Sequence, residues 1–103
     1  MHYVVIAHDH DDEAARQRRI EVRPEHMERC ERSVAAGTLV FAVALLDDDE
    51  RMIGSAMVVD LPSRADVERW LDDEPYKVHG IWGRIDITRG RVGPWFPLPE
   101  AGA

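Results

Sequence analysis

Cysteine is nearly absent from this chain of 103 residues, and Cys30 stands alone. A lone thiol excludes an internal disulfide framework and any zinc site built from several thiolates. Long apolar runs are missing too, since none approaches the roughly 20 residues needed to cross a bilayer. The opening Met1-His2-Tyr3-Val4-Val5-Ile6 has no basic segment, extended apolar stretch or small-residue cleavage site. No secretory signal is therefore expected, and a cytoplasmic location follows by default. Positive charge is scarce: 13 Lys and Arg face 20 Asp and Glu, a formal charge of −7. Nucleic acids and anionic membranes are met through basic surfaces, so neither is an expected partner. A phosphate-cradling glycine motif, a Gly-x-Ser-x-Gly elbow and a His-Glu-x-x-His helix are also lacking, which leaves several standard enzyme classes without support.

What is present is the balance of a folded domain, with 45% hydrophobic and 32% charged residues. The length suits one domain. Residues 2–8, β-branched and aromatic, read as a strand that ends where Asp9-His10-Asp11-Asp12 turns polar. The charged stretch Glu13 to Glu21 reads as a helical turn or an extended loop. Pro24 suits the first turn of a helix, with Met27, Cys30 and Val34 as its buried stripe and Gly37 as its stop. Leu39 to Leu46 is an unbroken apolar run, expected to be a strand buried on both faces. Asp47 to Arg51 forms a hairpin loop, and Met52 to Asp60 returns as a strand in which Gly54 marks a bulge or a close backbone approach. Ser63 and Asp66 cap a second helix whose buried stripe is Val67, Trp70 and Leu71. Pro75 ends that helix, Tyr76 to Gly80 is a linker or helical turn, and Ile81 to Thr88 is the last strand. The tail from residue 91, with Trp95 and Phe96, is expected to be irregular and to dock on its own or a partner subunit.

This β-α-β-β-α-β order is the split βαβ pattern of ferredoxin-like α+β domains, an antiparallel sheet with both helices on one side. The strands carry apolar residues at both parities, such as Tyr3, Val5 and Ala7 against Val4 and Ile6. A single copy would leave a large apolar face in water, and a twofold homodimer with sheets face to face would cover it.

Among the five histidines, His26 is the one placed for chemistry. It lies near the start of the first helix, and Asp9 lies at the end of the strand that feeds that helix. A carboxylate holding one imidazole nitrogen leaves the other as a general base. The plain alternative is a surface histidine and a turn acid. His8, His10, Asp11 and Asp12 suggest a weaker metal-binding alternative, short of three or four converging ligands. No metal and no cofactor are expected. Cys30, one helical turn after His26, could pair with it but also completes the apolar stripe, where a free cysteine packs as a small hydrophobe.

Taken together, the pieces resemble the YCII (YciI-like) family. The strand Tyr3-Val4-Val5-Ile6-Ala7 reaches Asp9, and Arg23-Pro24-Glu25-His26-Met27 matches the family's Arg-Pro-x-His-Leu. Gly37-Thr38-Leu39 and Ile53-Gly54-Ser55 follow. Val67-Glu68-Arg69-Trp70 and Glu74-Pro75-Tyr76, with Gly80 behind, match Ala-x-x-Trp and Asp-Pro-Tyr. The resemblance spans residues 1–90. It implies a dimeric α+β barrel of ferredoxin-like subunits and an active site around His26 and Asp9. One related branch includes a dehydrochlorinase. The implied function is general acid–base proton transfer, of elimination or isomerisation type, on a small molecule. Arg23, Ser55, Tyr76 and Glu74 would serve as substrate-binding residues. A non-catalytic dimeric domain that binds a small ligand is the alternative. The chain departs from the pattern at Ala42-Val43-Ala44-Leu45, where the family has Gly-Pro, and at Glu74, where it has aspartate.

Overall fold

A computed structural model describes residues 1–98. Its elements are β1 (His2–Asp9), α1 (Glu13–Ala35), β2 (Leu39–Leu46), β3 (Met52–Asp60), α2 (Arg64–Asp72), α3 (Pro75–Val78) and β4 (Trp82–Gly90). The strands form one antiparallel sheet in the order β2-β3-β1-β4. This is the ferredoxin-like arrangement. Among the described residues no helix is long and apolar enough to cross a membrane.

The first helix begins eleven residues earlier than Pro24 would suggest, with Asp12 as its N-cap; the Asp12 carboxylate accepts from the Ala15 N–H at 2.7 Å. The stretch after it is rich in Ala, Arg and Gln, strong helix formers, so charge there marks a solvated helix and not a loop. Pro24 is inside the helix. A proline there costs the bond to the carbonyl four residues back, that of Ile20. Ile20 and Pro24 both lie on the exposed side, where water can serve that carbonyl. The far end closes as expected: Gly37, at φ 79°, donates to the Val34 carbonyl, and the Thr38 N–H to that of Ser33. That pair of bonds is the Schellman closure, for which a residue free to take positive φ is needed.

The buried stripe of α1 also differs from the expected one. Ala15, Arg19, Val22 and Ser33 are buried, with Cys30 packed against the core, while Met27 and Val34 are exposed. Starting the helix at Glu13 fixes its rotation from Arg19 and Val22, which moves the inward face off Met27. The second helix matches expectation more closely. Ser63 Oγ accepts from the Asp66 N–H and donates to its carboxylate, and Val67 and Leu71 are buried with Trp70 beside them. Tyr76 to Gly80 resolves into the turn α3 with Glu74 as its N-cap.

The core sits between the helices and one sheet face: Tyr3, Val5, Ala7, Met57 and Val59 meet Val22, Val67, Leu71 and Tyr76. The strand β2 departs most from expectation. It is an edge strand in which only Leu39 is buried, not a strand covered on both sides. Its register slips between Leu39 and Phe41, so that Leu39 pairs with Val59 but Phe41 with Val58. The slip reverses the parity. Phe41, Val43 and Leu45 thereby join Ala56, Val58, Val4 and Ile6 on the face away from the helices. Ala42 and Ala44 turn toward the helix side instead.

Gly54 is a close approach: a Cβ there would stand 2.4 Å from the Ala7 carbonyl oxygen. Backbone cannot yield as a flexible side-chain tip can. Gly54→Ala is therefore expected to cost about 1–3 kcal/mol, as overpacking does. Gly90→Ala, whose Cβ would meet only Val4 Cγ2 at 3.5 Å, should cost much less. Urea unfolding of the two variants checks this, and equal midpoints would contradict it.

Candidate functional site

The residues that could carry chemistry gather where α1 crosses α3 and the ends of β1 and β3. Arg19, His26 and Cys30 stand at i, i+7 and i+11, so α1 presents them from one face. Against them α3 brings Glu74 and Tyr76, both almost fully buried.

His26 Nδ1 lies 2.5 Å from Glu74 Oε1. An ionised carboxylate only accepts, so this bond places the proton on Nδ1 and leaves Nε2 as the basic nitrogen. Glu74 Oε1 also accepts from the Tyr76 N–H at 3.2 Å, while Oε2 accepts from Arg29 at 2.9 Å. Arg29 is itself held over the Trp70 ring, 4.5 Å from its centroid, and donates to the Trp70 carbonyl. The carboxylate is thus taken out of water with its charge matched and its lone pairs used, the condition under which a buried ion pair survives. The imidazole plane is fixed by stacking on Tyr76, with centroids 3.9 Å apart and an interplanar angle of 11°, and by the edge of Trp82 at 6.3 Å.

Nε2 faces Cys30 Sγ at 3.5 Å. Burial, reinforced by the nearby Glu74 charge and opposed by Arg29, pushes the Cys30 thiol up to about 11. At neutral pH it is a neutral S–H beside the imidazole, not a thiolate nucleophile.

Asp9 does not reach His26. Its Oδ2 binds Arg19 Nε at 2.8 Å instead, and both side chains are buried. The expected direct Asp9–His26 contact is replaced by Glu74–His26, because Arg19 lies between Asp9 and the rest of the site. Arg19 also donates to the Tyr76 hydroxyl at 3.2 Å, the Gly54 carbonyl at 3.1 Å and Ser55 Oγ at 3.4 Å. Its guanidinium sits 4.6 Å from the centre of the Tyr76 ring. Asp9 therefore touches the site only through Arg19. Burial raises the Tyr76 phenol above its ordinary value, with the Arg19 and Arg23 charges pulling the other way, so it remains a neutral donor near pH 7.

A cavity of about 380 Å³ opens beside this network, lined by Arg19, Arg23, His26, Cys30, Ser55 and Tyr76 together with apolar side chains from α1, β2 and β3. Arg23, Ser55 and Tyr76 are thus brought together as expected, whereas Glu74 lies behind His26 and does not line the cavity. Sequence reasoning missed Arg19 and Arg29. Their signal was helical: extending α1 back from His26 places Arg19 two turns earlier on the same face, and Arg29 three residues later. The His8, His10, Asp11 and Asp12 group does not converge. His8 Nε2 lies 3.8 Å from Asp86, Asp12 caps α1, and no three potential metal ligands cluster among the described residues.

Fold and site define a class, a ferredoxin-like α+β domain with a ligand-sized cavity between its first helix and the β2–β3 edge. The chain belongs to the YCII-related domain family, whose model matches residues 1–91. Among solved structures, it is similar to 5-chloro-2-hydroxyhydroquinone dehydrochlorinase (TftG) from Burkholderia phenoliruptrix AC1100 in complex with 2,5-dihydroxybenzoquinone. That match has a TM-score of 0.78 at 20% identity and covers 90% of this chain and 96% of the other. A protein from Agrobacterium tumefaciens matches with a TM-score of 0.53 at 15% identity, over 96% of this chain and 100% of its own. An antibiotic biosynthesis monooxygenase matches with 0.53 at 14%, over 91% and 100%. At these identities the likeness is one of fold. Comparison with curated proteins gives no match.

Two outcomes follow from this geometry. Glu74→Ala strands Arg29 without its carboxylate and is expected to lower stability by about 3–5 kcal/mol, the cost of breaking a buried pair. A loss under about 1 kcal/mol in urea unfolding would contradict the burial argument. For Cys30, the folded thiol keeps its proton to about pH 11 against an ordinary 9.0. More protons are bound in the folded state between those values, so the stability this group contributes is complete below pH 9.0 and lost as pH rises through about 11. Iodoacetamide labelling of the folded chain should rise through the same window, and a midpoint near 9 would contradict it.

Proposed function

We propose that this chain is a small-molecule enzyme in which His26 is the general acid–base catalyst and Glu74 holds it. The observation that carries this reading is the 2.5 Å contact between His26 Nδ1 and a fully buried carboxylate, in a histidine that lines a cavity. In the forward step Nε2 takes a proton from the substrate. The electron pair of the broken bond forms a new double bond, and the leaving group departs with its own pair. In the isomerisation variant the same proton returns to another substrate atom. The imidazolium so formed sits against the Glu74 carboxylate, which meets its charge. Arg23, Ser55 and Tyr76 bind substrate, and Asp9 is a positioning residue that acts by fixing Arg19. Support for the elimination type comes from TftG, whose name states a dehydrochlorinase and with which this chain shares its fold.

The working form is a homodimer. Phe41 and Val43 are exposed, and with Leu45, Ala56, Val58, Val4 and Ile6 they make a continuous apolar surface on the open side of the sheet. Such a surface is costly in water and suits isologous sheet-on-sheet pairing.

Chloride release from 5-chloro-2-hydroxyhydroquinone tests the chemistry. Wild type is expected to turn it over, His26→Gln to lose about 10²–10⁴-fold in kcat, as removal of a general base does, and Glu74→Gln to lose less. No release by wild type, or an unchanged rate in His26→Gln, would overturn the proposal. Sedimentation of Val43→Glu tests the assembly: wild type is expected to run as a dimer and the variant as a folded single subunit, and a monomeric wild type would contradict it.

A further inference from the structure

The wall of the cavity is unlike the rest of the molecule. Met27, Met52 and Met57 all line it, and they are every methionine of the chain apart from Met1. Thioethers are polarizable and adaptable, and their sulfur favours contact with aromatic rings. Ala42 and Ala44 face them from β2, so the space between is bounded by small groups on one side and soft ones on the other.

The polar lining is one-sided. Arg19, Arg23, His26, Cys30, Ser55 and Tyr76 contribute, and no carboxylate does, in a chain whose net charge is −7. The nearest acids are already committed, Asp9 to Arg19 and Glu74 to His26 and Arg29. Arg19 is likewise spent, with every guanidinium nitrogen engaged by the protein. Arg23 is different: it is exposed at the cavity and has no ion pair among the described residues. A guanidinium with its fork unoccupied matches the two oxygens of a carboxylate. Arg23 precedes His26 by three positions on one helix, which puts their Cβ atoms roughly 5–6 Å apart. Both side chains border the same cavity.

We propose that the cavity also accepts monocyclic aromatic carboxylates, with the carboxylate on Arg23, the ring among Met27, Met52 and Met57, and the reacting position beside His26 Nε2. This rests on the reading of the cavity as the substrate site of His26, and it is tested by binding alone. Benzoate, its neutral isostere benzamide, and the non-aromatic cyclohexanecarboxylate are titrated calorimetrically into the full chain, and into Arg23→Met and His26→Gln. Wild type is expected to bind benzoate roughly tenfold or more tighter than benzamide. It should also prefer benzoate over cyclohexanecarboxylate several-fold. Arg23→Met should erase the first preference and keep the second. His26→Gln should keep both, so a failure of the acid–base reading remains distinguishable from a failure of this one. Absence of benzoate binding to wild type, equal affinity for benzamide, or an unchanged preference in Arg23→Met would overturn the carboxylate anchor. Equal affinity for cyclohexanecarboxylate would overturn the aromatic slot. Arg23 is exposed, so Arg23→Met keeps its fold, and an unchanged unfolding midpoint verifies that.

Discussion

One buried carboxylate, that of Glu74, ties the second half of the chain to the first helix. It caps α3 through the Tyr76 N–H, neutralises Arg29 and holds the proton of His26 Nδ1. Each bond offsets part of the cost of removing a charge from water, and none suffices alone. The orientation of the imidazole, the stacking of Tyr76 on it and the seat of α3 against α1 all follow from that arrangement. The family pattern has aspartate here. The longer side chain of glutamate still lets one carboxylate serve as both helix cap and imidazole partner.

A second buried pair, Asp9 with Arg19, lies alongside and stays separate from the first. Its purpose in the architecture is clear from the donors of Arg19, which fix the Tyr76 hydroxyl, the Gly54 carbonyl and Ser55 along the β3 side of the cavity. Two internally balanced pairs leave the cavity with little charge except that of Arg23 at its edge. A low-dielectric, pre-ordered surround of this kind makes a single proton acceptor effective, because no reorganisation is needed when charge develops.

Much of the fold could be read from residue pattern. Turn chemistry and alternation located the four strands, and Gly37, Ser63 and Pro75 marked helix boundaries for reasons the structure repeats. Three things escaped. The charged stretch Glu13 to Glu21 reads as either a helical turn or an extended loop because it lacks a hydrophobic period, and the helix propensity of its residues favours the first. The slip between Leu39 and Phe41 leaves no mark in an unbroken apolar run, so residue pattern does not reveal that the parity of β2 reverses near its start. At the site, residue pattern sets Asp9 beside His26, whereas in the structure the carboxylate in contact with His26 is that of Glu74. Asp9 and Glu74 are separated from His26 by 17 and 48 positions. Only tertiary packing decides between them, and Arg19, absent from the sequence reading, claims the nearer acid.

The central claim is that Glu74 sets which imidazole nitrogen of His26 carries the proton. Long-range proton–nitrogen correlation spectra of the ring measure this directly in the neutral form. The protonated nitrogen is expected at Nδ1 in wild type, with a mixture of tautomers in Glu74→Gln. A wild-type ring protonated at Nε2, or spectra indifferent to Glu74→Gln, would contradict the account.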